Sequence, residues 1–146
     1  MTSVEDVLRR NKKLQEIPLD RARAEKLVDD ARKHRATADA ALQSGDFAGA
    51  YQMGYDAARK ALTALLALDG LRLRGEGAYA NLIELIREKY AGVEGIEIVD
   101  KLDRLRSTRN EAEYRGYWFD EDEVRADLEV STLVLTFFDQ ARESGP

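Results

Sequence analysis

A short stretch before residue 115 carries residue types suited to handling phosphate. Over residues 96–114 apolar side chains recur at Ile98, Leu102 and Leu105, spaced by four and by three. That spacing marks one face of a helix. The next positions of the same row are Arg109 and Ala112, so an arginine stands where the pattern predicts an apolar residue. A guanidinium keeps its charge and is costly to bury alone; it needs a carboxylate, a phosphate or a partner chain. Arg106 lies three residues before it, Asn110 next to it, Glu113 one turn on and Tyr114 five residues on. Two readings follow. In one, Arg109 forms a structural ion pair with Glu113 at i,i+4 or with an acid of the helix expected over about Phe47 to Asp69. In the other, Arg106, Arg109 and Asn110 grip phosphate, the arginine forks matching its oxygens and the amide positioning a ribose hydroxyl or backbone oxygen.

Helices must position these residues. Ser3 with Asp6 reads as a cap for a short helix from Val4 to about Leu14, and Pro18 then breaks the pattern. A first long helix is expected from about Leu19 to Ser44, ended by Gly45. Asp46 caps a second, from about Phe47 to Asp69. One face of it carries Phe47, Tyr51, Tyr55, Ala58, Leu62 and Leu65; beside it runs a small-residue row, Ala50, Gly54, Ala57 and Ala61. Such a row lets another helix backbone come close, here the first long helix or the last one. Leu71 to Gly77 reads as a loop, Ala78 to Tyr90 as a third helix, and about Ile96 to Tyr114 as a fourth. Asp120 caps a fifth, reaching about Arg142, with Glu121, Asp122 and Glu123 suiting the dipole of its first turn. Its run Val130, Leu133, Val134, Leu135, Phe137 and Phe138 is apolar on most sides, which predicts a central helix. No strand pattern is found. The expected fold is all-α: one domain over residues 1–146, an antiparallel bundle of about five helices over 19–143, with 1–18 as an N-terminal extension.

Composition narrows the chemistry. The chain of 146 residues has no cysteine, which removes disulfides, thiolate nucleophiles and Cys-based zinc sites and fits a reducing cytoplasm. Its one histidine, His34, would have to serve any catalytic triad, and one histidine rules out a two-histidine metal site within the chain. The net charge of −5 argues against a nucleic-acid footprint over the whole surface and leaves room for a local basic patch. The first residues lack the basic-then-apolar order of a signal peptide, and no run approaches a membrane span. Arginine supplies 16 of the 23 basic residues, the bias of a GC-rich bacterial genome.

The segment Asp46-Phe47-Ala48-Gly49-Ala50-Tyr51, then Tyr55 to Leu62, then Gly70-Leu71-Arg72, resembles the second helix of HEPN domains. That family's later signature is Arg, a polar residue that is often Asn, a short spacer and His; the matching stretch here is Arg109-Asn110-Glu111-Ala112-Glu113-Tyr114. The resemblance covers about Leu19 to Arg142. It implies a small helical bundle that forms a homodimer, with two copies of the motif facing each other across a cleft. In active members the motif cleaves RNA without metal or cofactor, the ribose 2′-hydroxyl attacking the adjacent phosphate. Histidine suits the acid–base part because its pKa lies near neutrality, and arginine can stabilise the charged phosphorane. Many members are toxins or defence proteins paired with a nucleotidyltransferase antitoxin.

The sequence departs from the signature at its last position, where Tyr114 stands for His. A phenol with a pKa of about 10 is a poor base at neutral pH, though it can donate a hydrogen bond or stack on a base. Some active members carry a tyrosine two residues beyond the histidine; Gly116 occupies that position here, with Tyr117 one step further. Arg109 and Asn110 therefore carry over and the acid–base residue does not.

Three other groups are weighed. His34, within Arg32-Lys33-His34-Arg35, reads as a solvated helix face, against a basic patch that helps hold RNA. The acids Asp120 to Glu123 read as a cap and dipole partner rather than a metal site. Tyr114, Tyr117, Trp118 and Phe119 read as a corner packed on the bundle, against stacking on a base or a dimer contact. Three functions stay open. The favoured one is RNA or nucleotide binding through Arg106, Arg109, Asn110, Glu113 and Tyr114 without efficient catalysis. The second is a metal-independent endoribonuclease using Arg109 and Tyr114. The third is an interaction module, self-associating or partnered with a nucleotidyltransferase.

Overall fold

The computed structural model describes residues 3–115 and 119–145, with side chains described for 3–107 and 119–145. Among the described residues six helices and a two-stranded ribbon follow one another: α1 (Val4–Arg10), β1 (Leu14–Glu16), α2 (Arg21–Gln43), α3 (Phe47–Leu68), β2 (Leu71–Leu73), α4 (Ala78–Lys89), α5 (Ile98–Arg115) and α6 (Glu121–Ser144). The all-α bundle is as expected, and the helix starts follow local chemistry. Ser3, Asp20, Asp46 and Asp120 each accept a hydrogen bond from the backbone amide three residues on, satisfying a donor that the helix itself leaves open.

Two expectations are corrected at the front of the chain. The first helix stops at Arg10 instead of reaching Leu14, and Lys12 turns the chain with a φ of 59°. The stretch 71–77 is not all loop, because Leu14, Gln15 and Glu16 pair antiparallel with Leu73, Arg72 and Leu71. Strands of three residues are too short to show alternation, so the pattern search had nothing to detect. Arg72 donates to the Gln15 side-chain oxygen at 2.6 Å across this ribbon. The N-terminal segment is tied down again at α4, where the Val4 and Glu5 amides donate to the Glu88 carboxylate at 2.8 and 3.1 Å.

The central helix is α3, not α6. It packs against α2, α6, α4, α5 and β2, and twelve of its residues are buried. The face Tyr51, Tyr55, Ala58, Leu62 and Leu65 lies in the core. α6 buries Val124, Leu128, Val134, Phe137 and Phe138 but leaves Leu133 39% exposed. The small-residue row meets α6 at Gly54. A methyl there would come within 2.5 Å of Leu128 Cδ2, and the Ser131 hydroxyl donates to the Gly54 carbonyl at 2.7 Å. Tyr90, just after α4, donates to the Asp69 carboxylate at 3.0 Å; burial and that carboxylate push its phenol well above the ordinary range. Among the described residues no helix is long and apolar enough to cross a membrane.

Candidate functional site

The row that predicted the site holds for three of its positions. Ile98, Leu102 and Leu105 are buried on α5. The helix continues unbroken through Arg115, so residue 109 is the next position of that row. Arg109, Asn110, Glu113 and Tyr114 lie on α5 but outside the residues whose side chains are described, and Gly116, Tyr117 and Trp118 lie outside the described residues altogether.

The described surroundings are aromatic and basic. The buried Tyr51 hydroxyl donates to the Leu105 carbonyl, fixing α3 against α5 one turn before Arg109. Phe119 packs on the Tyr51 ring at a centroid distance of 4.6 Å, so the corner before α6 does fold onto the bundle at that residue. Tyr55 meets Tyr79 of α4 at 4.9 Å. The Tyr79 hydroxyl is closed off from solvent and has no hydrogen-bond partner among the described residues. Burial, reinforced by Tyr55 and Tyr51, raises its pKa well above the ordinary phenol value, while the positive charges of Arg59 and Arg106 pull the other way. Those two guanidiniums are therefore within electrostatic reach of one buried hydroxyl.

Arg106 is the predicted site residue whose side chain is described. It is partly buried and pairs with Asp103 of its own helix, Nε to Oδ1, at 3.1 Å. An ion pair this exposed holds its partners loosely.

His34 is not on a fully solvated face. It is partly buried between α2 and α3, with Nε2 2.6 Å from Lys60 Nζ. Lys60 is nine residues beyond Tyr51 on α3, which is about 13 Å along a helix axis. Arg32 pairs with Asp139 of α6 at 2.8 Å, and Arg35 reaches Asp39, the Leu128 carbonyl and Thr132. Two of the four residues of this basic run are thus spent on packing α2 against α6. Asp120 is likewise occupied, accepting from the Glu123 amide at 2.9 Å as the cap of α6.

The sequence reading missed the cluster of Tyr55, Tyr79 and Arg59. Its members come from α3 and α4, and nothing local links residue 79 to residues 55 and 59. A tyrosine in the first turn of the expected third helix was the one signal available in the sequence.

Comparison with known proteins adds one finding. No curated protein and no solved structure matches the chain. The family described as the HEPN domain matches residues 24–141, most of the chain and all of α3 and α5. The chain belongs to the HEPN domain family.

Proposed function

We propose that this protein binds RNA or a nucleotide through Arg109 and Asn110, with Arg106, Glu113 and Tyr114 alongside, and that it lacks efficient catalysis. The observation that carries the reading is the row on α5. Its first three members are buried, and the helix runs on through the Arg-Asn pair of the family signature. An arginine at that point of a HEPN bundle has a use in gripping phosphate and little use as core. Arg106 supports it, being held by a weak local pair that an anion can displace. Tyr114 in place of the signature histidine leaves the site without a base suited to neutral pH.

Residues 1–146 act as one domain in this reading, since α1 and β1 are tied to α4 and β2. The chain works as a cytoplasmic homodimer without cofactor or metal. A nucleotidyltransferase is the partner class that the toxin–antitoxin form of the family uses. The test is to incubate mixed-sequence RNA with the protein in EDTA, beside Arg109→Ala and Tyr114→His, and to follow cleavage and binding together. The expected outcome is binding that Arg109→Ala removes, with no cleavage by the wild type. Cleavage by the wild type that Arg109→Ala abolishes would replace the reading with a working ribonuclease. Absence of binding would replace it with an interaction module. Light scattering at tens of micromolar checks the dimer.

A further inference from the structure

A second feature lies between α3, β2 and α4, formed by residues outside the Arg-Asn motif. Arg59 and Leu66 of α3, the three residues of β2, and Tyr79 and Leu82 of α4 enclose an open cleft of about 320 Å³. Leu66, Leu71 and Leu82 are buried, and Leu73 and the Tyr79 ring complete an apolar wall. Two guanidiniums, Arg59 and Arg72, also line it, and among the described residues no carboxylate does, in a chain whose net charge is −5.

Among the described residues neither arginine has its charge well matched by an acid. Arg72 is held by the neutral Gln15 amide, which orients the fork without compensating it. Arg59 pairs with Asp56 at 3.9 Å, the loose end of an ion pair. Other polar side-chain atoms are scarce. The Thr63 hydroxyl donates to the Arg59 carbonyl at 2.8 Å, and the Tyr79 hydroxyl is closed off from solvent. A nucleobase seated here would find few side-chain groups to read its edges, whereas an apolar body would find a matching wall.

We propose that this cleft binds a small amphiphilic anion, a carboxylate or phosphate carrying a short acyl or single-ring body. The head sits between Arg59 and Arg72 and the body lies on the leucines and the Tyr79 ring. None of its lining residues belongs to the α5 motif, so in this proposal binding does not need Arg109.

The test is a titration of the full chain with octanoate and with octyl phosphate, followed by amide chemical shifts, with octanol and octylammonium as controls. Saturable shifts confined to residues 59–82 are expected with both anions if the fork sets the preference, and with one if its geometry selects the head. Octanol and octylammonium should bind at least about tenfold more weakly, and Arg59→Gln with Arg72→Gln should lose about tenfold or more in anion affinity. The single reversal Arg72→Glu, at an exposed position, should lose at least as much and keeps the question answerable if the double variant unfolds. Arg109→Ala should bind the anions like wild type, so a failure of the RNA reading leaves this result standing. Absence of saturable shifts at millimolar ligand, equal binding of octanol or octylammonium, or unchanged anion binding in Arg72→Glu would each overturn the proposal.

Discussion

Lys60 Nζ of α3 lies 2.6 Å from His34 Nε2 of α2, so the one histidine of the chain serves as a hydrogen-bond acceptor between two core helices. With the Lys60 ammonium as donor, Nε2 accepts and the ring proton is assigned to Nδ1. His34→Leu leaves the ammonium without this acceptor and should cost about 1 kcal/mol of stability, while His34→Gln, which keeps an acceptor, should cost less than half of that. Urea unfolding of the two variants decides it, and equal losses would mean that packing alone matters at this position.

Gly54 sets how closely α3 and α6 approach. Alanine in a helix normally gains about 1 kcal/mol over glycine. Here the added methyl would lie 2.5 Å from Leu128 Cδ2 and 3.1 Å from Ser131 Oγ, and both of those residues are buried. Overpacking of that kind costs about 1–3 kcal/mol, so Gly54→Ala should be neutral to destabilising by about 2 kcal/mol despite the better helix former. A rise in melting temperature would show that α6 shifts freely.

Asp127 gives the fold a pH dependence of known sign. Burial, with Glu123 one turn away adding negative charge, pushes its carboxyl up to about 6. Lys101 and Arg104 line the same groove. The unfolded carboxyl titrates at about 3.9, so the folded chain holds the proton more tightly. That contribution is fully present below about pH 4 and is lost as the pH rises through about 6. Asp127→Asn should therefore be more stable than wild type at about pH 8, by on the order of 1 kcal/mol after solvent screening, and should show no gain at about pH 4. Unfolding midpoints across that range test it; a constant offset would contradict the assignment.

Tyr79 carries a buried hydroxyl with no partner among the described residues. Removing an unsatisfied polar group of this kind relieves its desolvation cost, so Tyr79→Phe should stabilise the protein by about 1 kcal/mol. Thermal unfolding is the check. A loss of stability would mean that the hydroxyl is satisfied in solution, by water or by a residue beyond those described.

The bundle was legible because its signals are local. Asp46 and Asp120 announce two helix starts, and the rows Ile98–Leu102–Leu105 and Tyr51–Tyr55–Ala58–Leu62 name two core faces correctly. Gly54 and its small neighbours predicted a close helix contact, though either of two partners fitted the row. The ribbon was hidden because three residues a strand leave no period to read. The role of His34 was hidden because a neighbour 26 positions away, not its basic run, decides it. At the candidate site, the sequence named Arg106, Arg109, Asn110, Glu113 and Tyr114, and what the structure bears out is the buried row ahead of Arg109. The Tyr55–Tyr79 contact and the Arg59–Arg72 cleft arise only when α4 folds back beside α3.

The ribbon between β1 and β2 joins residues 57 positions apart through the Gln15–Arg72 pair. Closing so wide a loop returns few contacts until α2 and α3 have already paired, so the clasp is expected to form late and to open first. Amide protons of Leu14 to Glu16 should then exchange with solvent long before those of α3. Each such opening would release β2, one wall of the arginine-lined cleft, while leaving the helical core intact. Occupancy of that cleft and the exchange rate of the N-terminal clasp become two readings of a single local equilibrium.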